Sequence, residues 1–178
     1  MWPYKTTIKK IMEITIIVAY SNNMVIGNKN TLPWKISGDL KLFKEHTINN
    51  TVIMGRKTWE SLPKKPLPNR KNIILTKSNL IEKGALIAKS LSEAIRFCYP
   101  INKRIFIIGG SSIYEQFLPI ASRILATEIQ CSLNGDSFFP KVRSDIWLEI
   151  DRKPQLTENN YNYDFVTYVK QPKNLILL

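Results

Sequence analysis

Residues 25–43, which read VIGNKNTLPWKISGDLKLF, contain the side chains with the clearest chemical potential in the chain. A loop rich in Gly and Asn and a Leu-Pro-Trp corner precede one carboxylate, Asp39, which the pattern places ahead of or inside the first turn of a helix. Asp39 and Phe43 are four residues apart, so they share a helix face. A carboxylate beside an aromatic ring is a common polar anchor in a small-molecule pocket. Asp39 could instead only complement the free N–H groups and the dipole of the helix N-terminus.

The apolar residues of this helix predict its inward face. Leu40, Phe43, Thr47 and Ile48 recur at helical spacing, which predicts a stripe that packs toward the interior. Asp39 would then lie at the mouth of that stripe.

A strand-to-helix junction at Gly55 is a candidate phosphate site. The apolar run TVIMG, residues 51–55, predicts a strand that ends at this glycine, and Arg56, Lys57 and Thr58 follow it at a predicted helix start. Free N–H groups at a helix N-terminus bind anions. Taken alone, the same residues are more typical of an ordinary turn between a strand and a helix.

A second junction lies in RIFIIGGSSIYEQFL, residues 104–118. Its strand of four apolar residues stops at Gly109-Gly110, and Ser111 and Ser112 begin a helix that carries Ile113, Tyr114 and Phe117. Paired glycines let a ligand approach the backbone closely, and the helix start again offers N–H groups. The dinucleotide fingerprint GxGxxG is absent.

A third candidate follows the predicted strand NIILT, residues 72–76, where Thr76, Lys77 and Ser78 place two short hydroxyls around a cation. Such a trio can hold a phosphate monoester. It can also be a solvated turn.

The composition predicts one globular domain. The chain has 178 residues, of which 44% are hydrophobic and 10% aromatic, with a net charge of +12. This charge favours anionic partners such as nucleic acid, membrane surfaces or ligands with phosphates and carboxylates. The basic residues are dispersed, without a long basic block that contains aromatic residues, so a nucleic-acid or membrane partner is not expected.

The remaining signals concern the cellular compartment and metals. Cys98 and Cys131 are not near each other or near His46 at metal-ligand spacing, so we expect buried free thiols, a reducing cytoplasmic compartment and no metal. Glu13 interrupts the apolar run behind Lys9 and Lys10, and residues 14–20 are too few to span a bilayer. Residues 1–12 are expected to be a loosely ordered extension of a domain over residues 13–178.

The order of apolar runs predicts an α/β fold. Continuous β-branched runs such as ITIIVAY, residues 14–20, are typical of strands covered on both faces in a parallel sheet. Helices are predicted between several of these strands, and Ser90 and Glu93 have the spacing of a capping box. IWLEI (146–150) and YDFVTYV (163–169) follow each other without a helix. We therefore predict a single domain with a mixed, mostly parallel sheet that ends in an antiparallel hairpin.

Five blocks of the chain together resemble the dihydrofolate reductase family. They are IGNKNTLPW with Asp39 and Phe43, VIMGRKTWESL, PLPNRKNIILT, IFIIGGSSIYEQFL and GDSFFP. The blocks have the family's order and spacing over roughly residues 13–170. The resemblance implies an eight-stranded sheet flanked by helices, with NADPH and dihydrofolate in a cleft across it.

The resemblance also implies roles for named residues. The catalytic group would be Asp39, which grips the pterin, with Trp34 and Tyr114. The substrate would contact Ile17, Val18, Ala19, Leu40, Phe43, Leu62, Leu67, Arg70, Ile108 and Thr127, with Arg70 on the carboxylate of the glutamate tail. NADPH would contact Ala19, Ile26, Asn30, Leu32, Gly55, Arg56, Lys57, Thr58, Leu75, Thr76, Lys77, Gly109, Gly110, Ser111, Ser112, Ile113 and Tyr114. The loop from Asn22 through Trp34 would close over the nicotinamide, braced by Gly135-Asp136.

The implied reaction is reduction of 7,8-dihydrofolate by hydride transfer to pterin C6, with N5 protonated through water. The enzyme would be a monomer, and its product, tetrahydrofolate, would serve one-carbon and thymidylate metabolism. Some bacterial members have Arg where this chain has Ser112, and Ser or Arg is common where it has Lys77. The preference for NADPH over NADH would therefore depend on Arg56 and Lys77.

The related reductase of riboflavin biosynthesis is the nearest alternative, and Asp39 and Arg70 argue against it. A basic nucleic-acid-binding domain is the alternative outside enzymes.

Overall fold

The structure is a computed structural model that describes residues 12–100 and 103–172. Within these residues the strands are β1 (Ile14–Ser21), β2 (Val25–Gly27), β3 (Thr51–Gly55), β4 (Lys71–Leu75), β5 (Ala85–Ala88), β6 (Ile105–Ile107), β7 (Arg123–Ile129), β8 (Ser137–Phe138), β9 (Trp147–Pro154) and β10 (Tyr163–Lys170). The helices are α1 (Ser37–Thr47), α2 (Arg56–Ser61), α3 (Leu91–Phe97) and α4 (Ser111–Phe117). Residues 1–11 of the predicted extension lie outside the described residues, and Met12 is buried in the core.

Eight strands form one sheet in the order β5-β4-β3-β6-β1-β7-β10-β9. The six strands from β5 to β7 are parallel, and β10 is antiparallel to both β7 and β9. The predicted α/β class, the mostly parallel eight-stranded sheet and the C-terminal antiparallel strands are confirmed. The carboxyl ends of β1, β3, β4, β6 and β7 meet at one edge, where ligands bind in open α/β sheets.

The alternation of side chains along each strand divides the core between the two faces of the sheet. On one face, Ile16 and Ile107 belong to a cluster that includes α3 and α4. On the other face, Ile17 and Phe106 belong to a cluster that includes Phe43 of α1 and parts of α2. Both faces are covered, which explains why the strands read as continuous apolar runs.

The prediction for the inward stripe of α1 is wrong at Leu40. Thr47 is buried and Phe43 is partly buried, whereas the Leu40 side chain is 57% exposed. The C-terminal half of α1 packs on the sheet, whereas its first turn borders an open cleft. Leu40 therefore lines that cleft and does not belong to the core.

Two short strands were not predicted. β2, within the loop after β1, pairs antiparallel with β8, which follows Gly135-Asp136. Three- and two-residue strands contain too few positions for an alternating pattern, so their sequences are indistinguishable from loops. Strand β9 also continues to Pro154, four residues past the predicted end, because β10 supplies partners along its whole length.

Other expectations concern cysteines and membranes. Cys98 is buried and Cys131 is only partly so, and both thiols are free. Among the described helices, none has the length and apolar character needed to cross a membrane.

Candidate active site

Asp39 lies in the first turn of α1 and faces the sheet. Its Oδ1 accepts a hydrogen bond of 2.7 Å from Oγ1 of Thr127, a residue of β7 that is only 2% exposed. In the described part of the chain, no donor bonds to the other carboxylate oxygen, Oδ2. Asp39 therefore offers one oxygen to a ligand while the sheet holds the other.

The N-terminus of α1 is capped by Glu158 and not by Asp39. Glu158 in the segment between β9 and β10 accepts hydrogen bonds from the backbone N–H groups of Ser37 at 2.6 Å and Gly38 at 3.1 Å. Because this distant carboxylate satisfies the first N–H groups of α1, Asp39 remains available to the cleft.

The environment of Asp39 perturbs its protonation. Burial raises the pKa of the carboxyl, and the hydrogen bond from Thr127 opposes this rise. The neutral acid consequently persists to higher pH than in water.

Asp39 lines a cavity of about 310 Å³ together with Leu32, Trp34 and Leu40. Trp34 is only 5% exposed, and its buried Nε1 has no hydrogen-bond acceptor among the described residues. A buried N–H of this kind is unfavourable unless a ligand or water completes it. The structure thus places the Trp34 side chain and a carboxylate with one free oxygen around one space.

An apolar wall of predicted substrate residues lies beside the cavity. Ile17, Phe43, Leu62, Leu67 and Ile108 belong to one cluster on the α1 face of the sheet. Ala19 packs near Trp34 on the same face. The side chain of Val18 points the other way and packs with the α4 cluster, so it does not join the wall.

Arg70 lies at the open end of this wall. Its guanidinium is 5.7 Å from the centre of the Phe43 ring and donates to Oγ1 of Thr47 at 2.9 Å. Asn72 holds the proline-rich loop in place, since its amide bonds to both the N–H and the carbonyl of Leu67. Asn72 and Thr47 were missed from the sequence, because a supporting amide or hydroxyl leaves no periodic signal.

The two glycine junctions lie against each other. The Gly55 N–H donates to the carbonyl of Gly109 at 2.8 Å, which joins the β3–α2 corner to the β6–α4 corner. Gly109 has a φ of +105°, a conformation that glycine adopts without the steric penalty of a side chain. At neither corner does an N-cap side chain bond to the helix N–H groups.

The carboxyl end of β4 lies beside that of β3, because the two strands are neighbours in the sheet. Leu75 pairs with Gly55 in the parallel register, so Thr76 and Lys77 follow on beside Arg56 and Lys57. The Thr76 hydroxyl accepts from the Ser78 N–H at 3.2 Å, which shows that this trio forms a turn. Lys77 is exposed at that turn.

NADPH is implied by the resemblance, and the residues present fit it. A Cβ placed on Gly110 would meet Oγ1 of Thr58 at 3.6 Å, so small groups line the gap between the corners. Arg56 and Lys57 supply positive charge there, although Arg56 also pairs with Glu60 at 2.6 Å. Ser112 is exposed at the start of α4, whereas the Ser111 hydroxyl already accepts from the N–H of Phe138.

The helix that follows the second corner is tied to the sheet. Ile113 and Tyr114 are both buried, and the Tyr114 hydroxyl donates to the carbonyl of Ile17 at 2.9 Å. Burial, and the negative charge of Asp39, raise the pKa of Tyr114, so its hydroxyl stays protonated. Tyr114 therefore links the cofactor corner to the strand that lines the apolar wall.

The loop from Asn22 through Trp34 is braced as expected. The carboxylate of Asp136 accepts from the N–H of Lys29 at 2.9 Å, and its own N–H donates to the carbonyl of Gly27. Within this loop Ile26 packs on the core, while Asn30 and Leu32 are exposed. Leu32 lines the same cavity as Asp39.

These features define a class of protein, an α/β domain in which a free carboxylate oxygen and an apolar wall adjoin two corners suited to a phosphorylated cofactor. The sequence profile of dihydrofolate reductase matches residues 13–170. Similar proteins include the dihydrofolate reductases of Buchnera aphidicola from Acyrthosiphon pisum, 43% identical over 86% of this chain and 97% of the relative, and of Neisseria meningitidis serogroup A, 40% identical over 90% and 99%.

Among solved structures, the dihydrofolate reductase of Enterococcus faecalis complexed with NADP(H) and RAB-propyl is 32% identical, with a TM-score of 0.83 over 89% of this chain and 96% of that chain. The chain belongs to the dihydrofolate reductase family. The expected enzyme class, an NADPH-dependent oxidoreductase, is thereby confirmed.

Proposed function

We propose that this protein reduces 7,8-dihydrofolate to 5,6,7,8-tetrahydrofolate, with hydride delivered to pterin C6 and a proton reaching N5 through water. The observation that carries the proposal is Asp39, held by Thr127 through one oxygen and free at the other in a cavity beside the cofactor corners. NADPH supplies the hydride when it is bound, and the residues of the chain supply position, charge and the exclusion of water.

Asp39 acts by charge and orientation. Its free Oδ2 accepts hydrogen bonds from the ring nitrogen and the 2-amino group of the pterin, and its negative charge favours the protonated pterin. A protonated C=N bond accepts hydride more readily than a neutral one. Asp39 lies at the pterin edge away from the accepting carbon, so it polarises the ring and water delivers the proton.

Two further residues support the catalytic role of Asp39. Trp34 closes one side of the cavity beside Asp39. Tyr114, protonated and fixed to the carbonyl of Ile17, places a neutral dipole beside the nicotinamide site. Leu32 and Ala19 complete the space in which the two ligands meet.

Arg70 binds the carboxylate of the glutamate tail. Its guanidinium is oriented by Thr47 and by the ring of Phe43, so little side-chain freedom is lost on binding. Guanidinium groups bind carboxylates through paired, charge-assisted hydrogen bonds. The apolar wall from Ile17 to Ile108 covers the remainder of the folate.

Arg56, Lys57, Thr58, Thr76 and Lys77 hold the adenosine 2′-phosphate and the pyrophosphate. All five directly follow the ends of the adjacent strands β3 and β4, where Gly55 lies opposite Leu75, and this placement supports the assignment. Arg56 and Lys77 are the cations on which preference for NADPH over NADH depends. Their charge attracts the additional phosphate of NADPH.

The proposal includes a wider role for the protein. The protein provides tetrahydrofolate for one-carbon and thymidylate metabolism, works as a monomer in the cytoplasm and is a target for antifolates. Its charge of +12 increases the rate at which two anionic ligands reach the cleft.

One assay tests the proposed reaction. Purified protein is mixed with NADPH and dihydrofolate, and loss of the reduced-nicotinamide absorbance is followed, with NADH as the comparison. Oxidation of NADPH that requires dihydrofolate, and slower oxidation of NADH, is expected. Absence of dihydrofolate-dependent oxidation would refute the reaction, and equal rates with both cofactors would refute the roles of Arg56 and Lys77.

A further inference from the structure

We propose that Glu158 is a positioning residue for Asp39, because its carboxylate occupies the N-terminus of α1 and so prevents that helix end from stabilising a negative charge on Asp39. Glu158 lies between β9 and β10, 119 positions after Asp39 in the chain. It nevertheless lines the same cavity. The kinetic part of this inference rests on the proposed function.

The cap is formed by both oxygens of one carboxylate. Oε1 accepts from the N–H and the hydroxyl of Ser37, and Oε2 accepts from the N–H of Gly38. The residue in the N-cap position, Ile36, has no side-chain acceptor to do this. These bonds lower the pKa of Glu158, most through the Ser37 hydroxyl, so the cap is charged at neutral pH.

Gly38, which donates to this cap, also lies close to Tyr163. A Cβ at Gly38 would lie 2.3 Å from the Tyr163 hydroxyl and 3.6 Å from Oε2 of Glu158. Glycine destabilises a helix by about 1 kcal/mol relative to alanine. A glycine in the first turn of α1 is therefore explained by the close approach of the Tyr163 hydroxyl, whereas Oε2 of Glu158 lies at an ordinary contact distance.

The electrostatic consequence follows from the helix dipole. A helix N-terminus behaves as roughly half a positive charge, and it would stabilise an ionised carboxylate in the first turn. Glu158 already neutralises that end, and its own negative charge opposes a second one on Asp39. Among the described residues, Asp39 pairs with no cation.

Four other groups lie around Asp39 and belong to this balance. Thr127 from β7 donates to Asp39. Burial raises the pKa of Tyr114 from α4 and of Tyr163 from β10; the charge of Asp39 adds to both shifts, and the charge of Glu158 adds to that of Tyr163. Lys35 from the preceding loop lines the shared cavity. Among the described residues that line the cavity, Glu158 and Asp39 are the only anions. Removing the charge of Glu158 is therefore expected to lower the pKa of Asp39.

The test measures protonation of Asp39 without the reaction. The carboxyl carbons of aspartate are labelled with ¹³C, and the Asp39 signal is titrated by NMR in wild type, Glu158→Gln and Glu158→Ala. Loss of the charge is expected to lower the pKa of Asp39 by about half a pH unit, the size of a helix-end charge effect. Asn159→Ala is the matched control, because Asn159 lies in the same segment and lines the same cavity but carries no charge. Among the described residues its side chain donates to the carbonyl of Lys35.

A second readout uses the pH dependence of hydride transfer. Below the pKa that Asp39 has in wild type, Glu158→Gln is expected to transfer hydride roughly threefold faster than wild type, the factor that half a pH unit represents, because more of its Asp39 is ionised. Above that pKa Asp39 is ionised in both proteins, so the two rates should converge. Asn159→Ala should not move the midpoint.

The outcomes separate this inference from the proposed function. An Asp39 pKa that is unchanged or raised in both Glu158 variants, or lowered equally in Asn159→Ala, overturns the positioning role. If wild type does not reduce dihydrofolate, the proposed reaction fails while the NMR titration still decides the role of Glu158. A lowered pKa with an unchanged kinetic midpoint would overturn the link between Asp39 protonation and rate.

Discussion

Replacing Asp39 with Asn separates the charge of this residue from its shape. Asparagine has nearly the same volume, and its carbonyl oxygen can still accept the hydrogen bond from Thr127 that Asp39 accepts at 2.7 Å. The variant loses only the negative charge. The fold and the cofactor corners, which Asp39 does not contact, should remain intact.

The expected loss of activity can be estimated from the charge. A carboxylate about 3 Å from a cationic pterin contributes about 5 kcal/mol at an effective dielectric constant of about 20. An amide hydrogen bond recovers about 1 kcal/mol of this. A net loss of about 3–4 kcal/mol corresponds to a rate of hydride transfer that is about 10²–10³ times slower at neutral pH.

The effect on stability has the opposite sign. Burial raises the pKa of Asp39 in the folded state, so the folded state binds the proton more tightly than the unfolded state. The Asp39 carboxyl therefore adds to the free energy of unfolding only at low pH, where it is protonated. This contribution is lost as the pH rises through the pKa that Asp39 has in the folded state. Asp39→Asn should therefore unfold at a higher temperature than wild type at pH 7, and this advantage should shrink in acid.

Stopped-flow measurement of hydride transfer with NADPH in excess is the direct assay, accompanied by thermal melts at pH 5 and pH 7. The variant should recover part of its rate at low pH, where solvent protonates the substrate. Asp151→Asn, an exposed aspartate on β9, is the matched control and should behave as wild type. Near-normal hydride transfer by Asp39→Asn at pH 7 would refute the electrostatic role of Asp39.

Three further substitutions test other parts of the site. Gly110→Ala places a methyl group at an ordinary contact distance of 3.6 Å from the Thr58 hydroxyl, so it should fold normally but weaken NADPH binding by about tenfold or more, as measured by fluorescence titration. Arg70→Ala should weaken binding of dihydrofolate by about 10–100-fold, the value of a charge-assisted pair, while a pterin without the glutamate tail binds almost unchanged. Gly38→Ala should destabilise the protein, because its Cβ would lie 2.3 Å from the Tyr163 hydroxyl, and Tyr163→Phe in the same chain should restore part of the melting temperature.

Each of these three predictions would be contradicted by a specific result. Unchanged NADPH affinity in Gly110→Ala would mean that the gap between the corners is not a phosphate site. Equal losses for both ligands in Arg70→Ala would mean that Arg70 does not bind the tail, and Arg96→Ala on α3 provides the arginine control. A Gly38→Ala variant as stable as wild type would show that Tyr163 moves away without penalty.

Several features of this site can be predicted from the sequence, because they depend on residues that are close together in the chain. The strands that form the sheet are runs of apolar residues, and helix starts follow from spacing over a few positions, as in the capping box where the Ser90 hydroxyl accepts from the Glu93 N–H. The glycine corners at Gly55 and Gly110 are visible for the same reason. Short-range pattern also placed Asp39 in the first turn of α1.

Local pattern could not decide what Asp39 does there. An acid in a first turn can cap its helix or face a ligand. The choice depended on Glu158, which accepts from the N–H groups of Ser37 and Gly38 and is 121 and 120 positions away from them. Thr127, the partner of Asp39, is 88 positions distant. Such partners leave no periodic trace, because each is a single residue brought in by the pairing of strands.

The sequence alone determined the family, the order of elements and the kinds of side chain available for chemistry, since these depend on residue type and short-range spacing. Tertiary structure alone decided that Leu40 borders an open cleft, that the N–H of Gly55 meets the carbonyl of Gly109, and that β2 pairs with β8. The physical reason is that burial and hydrogen-bond pairing depend on which surfaces meet when the sheet closes, and that meeting is a property of the whole chain.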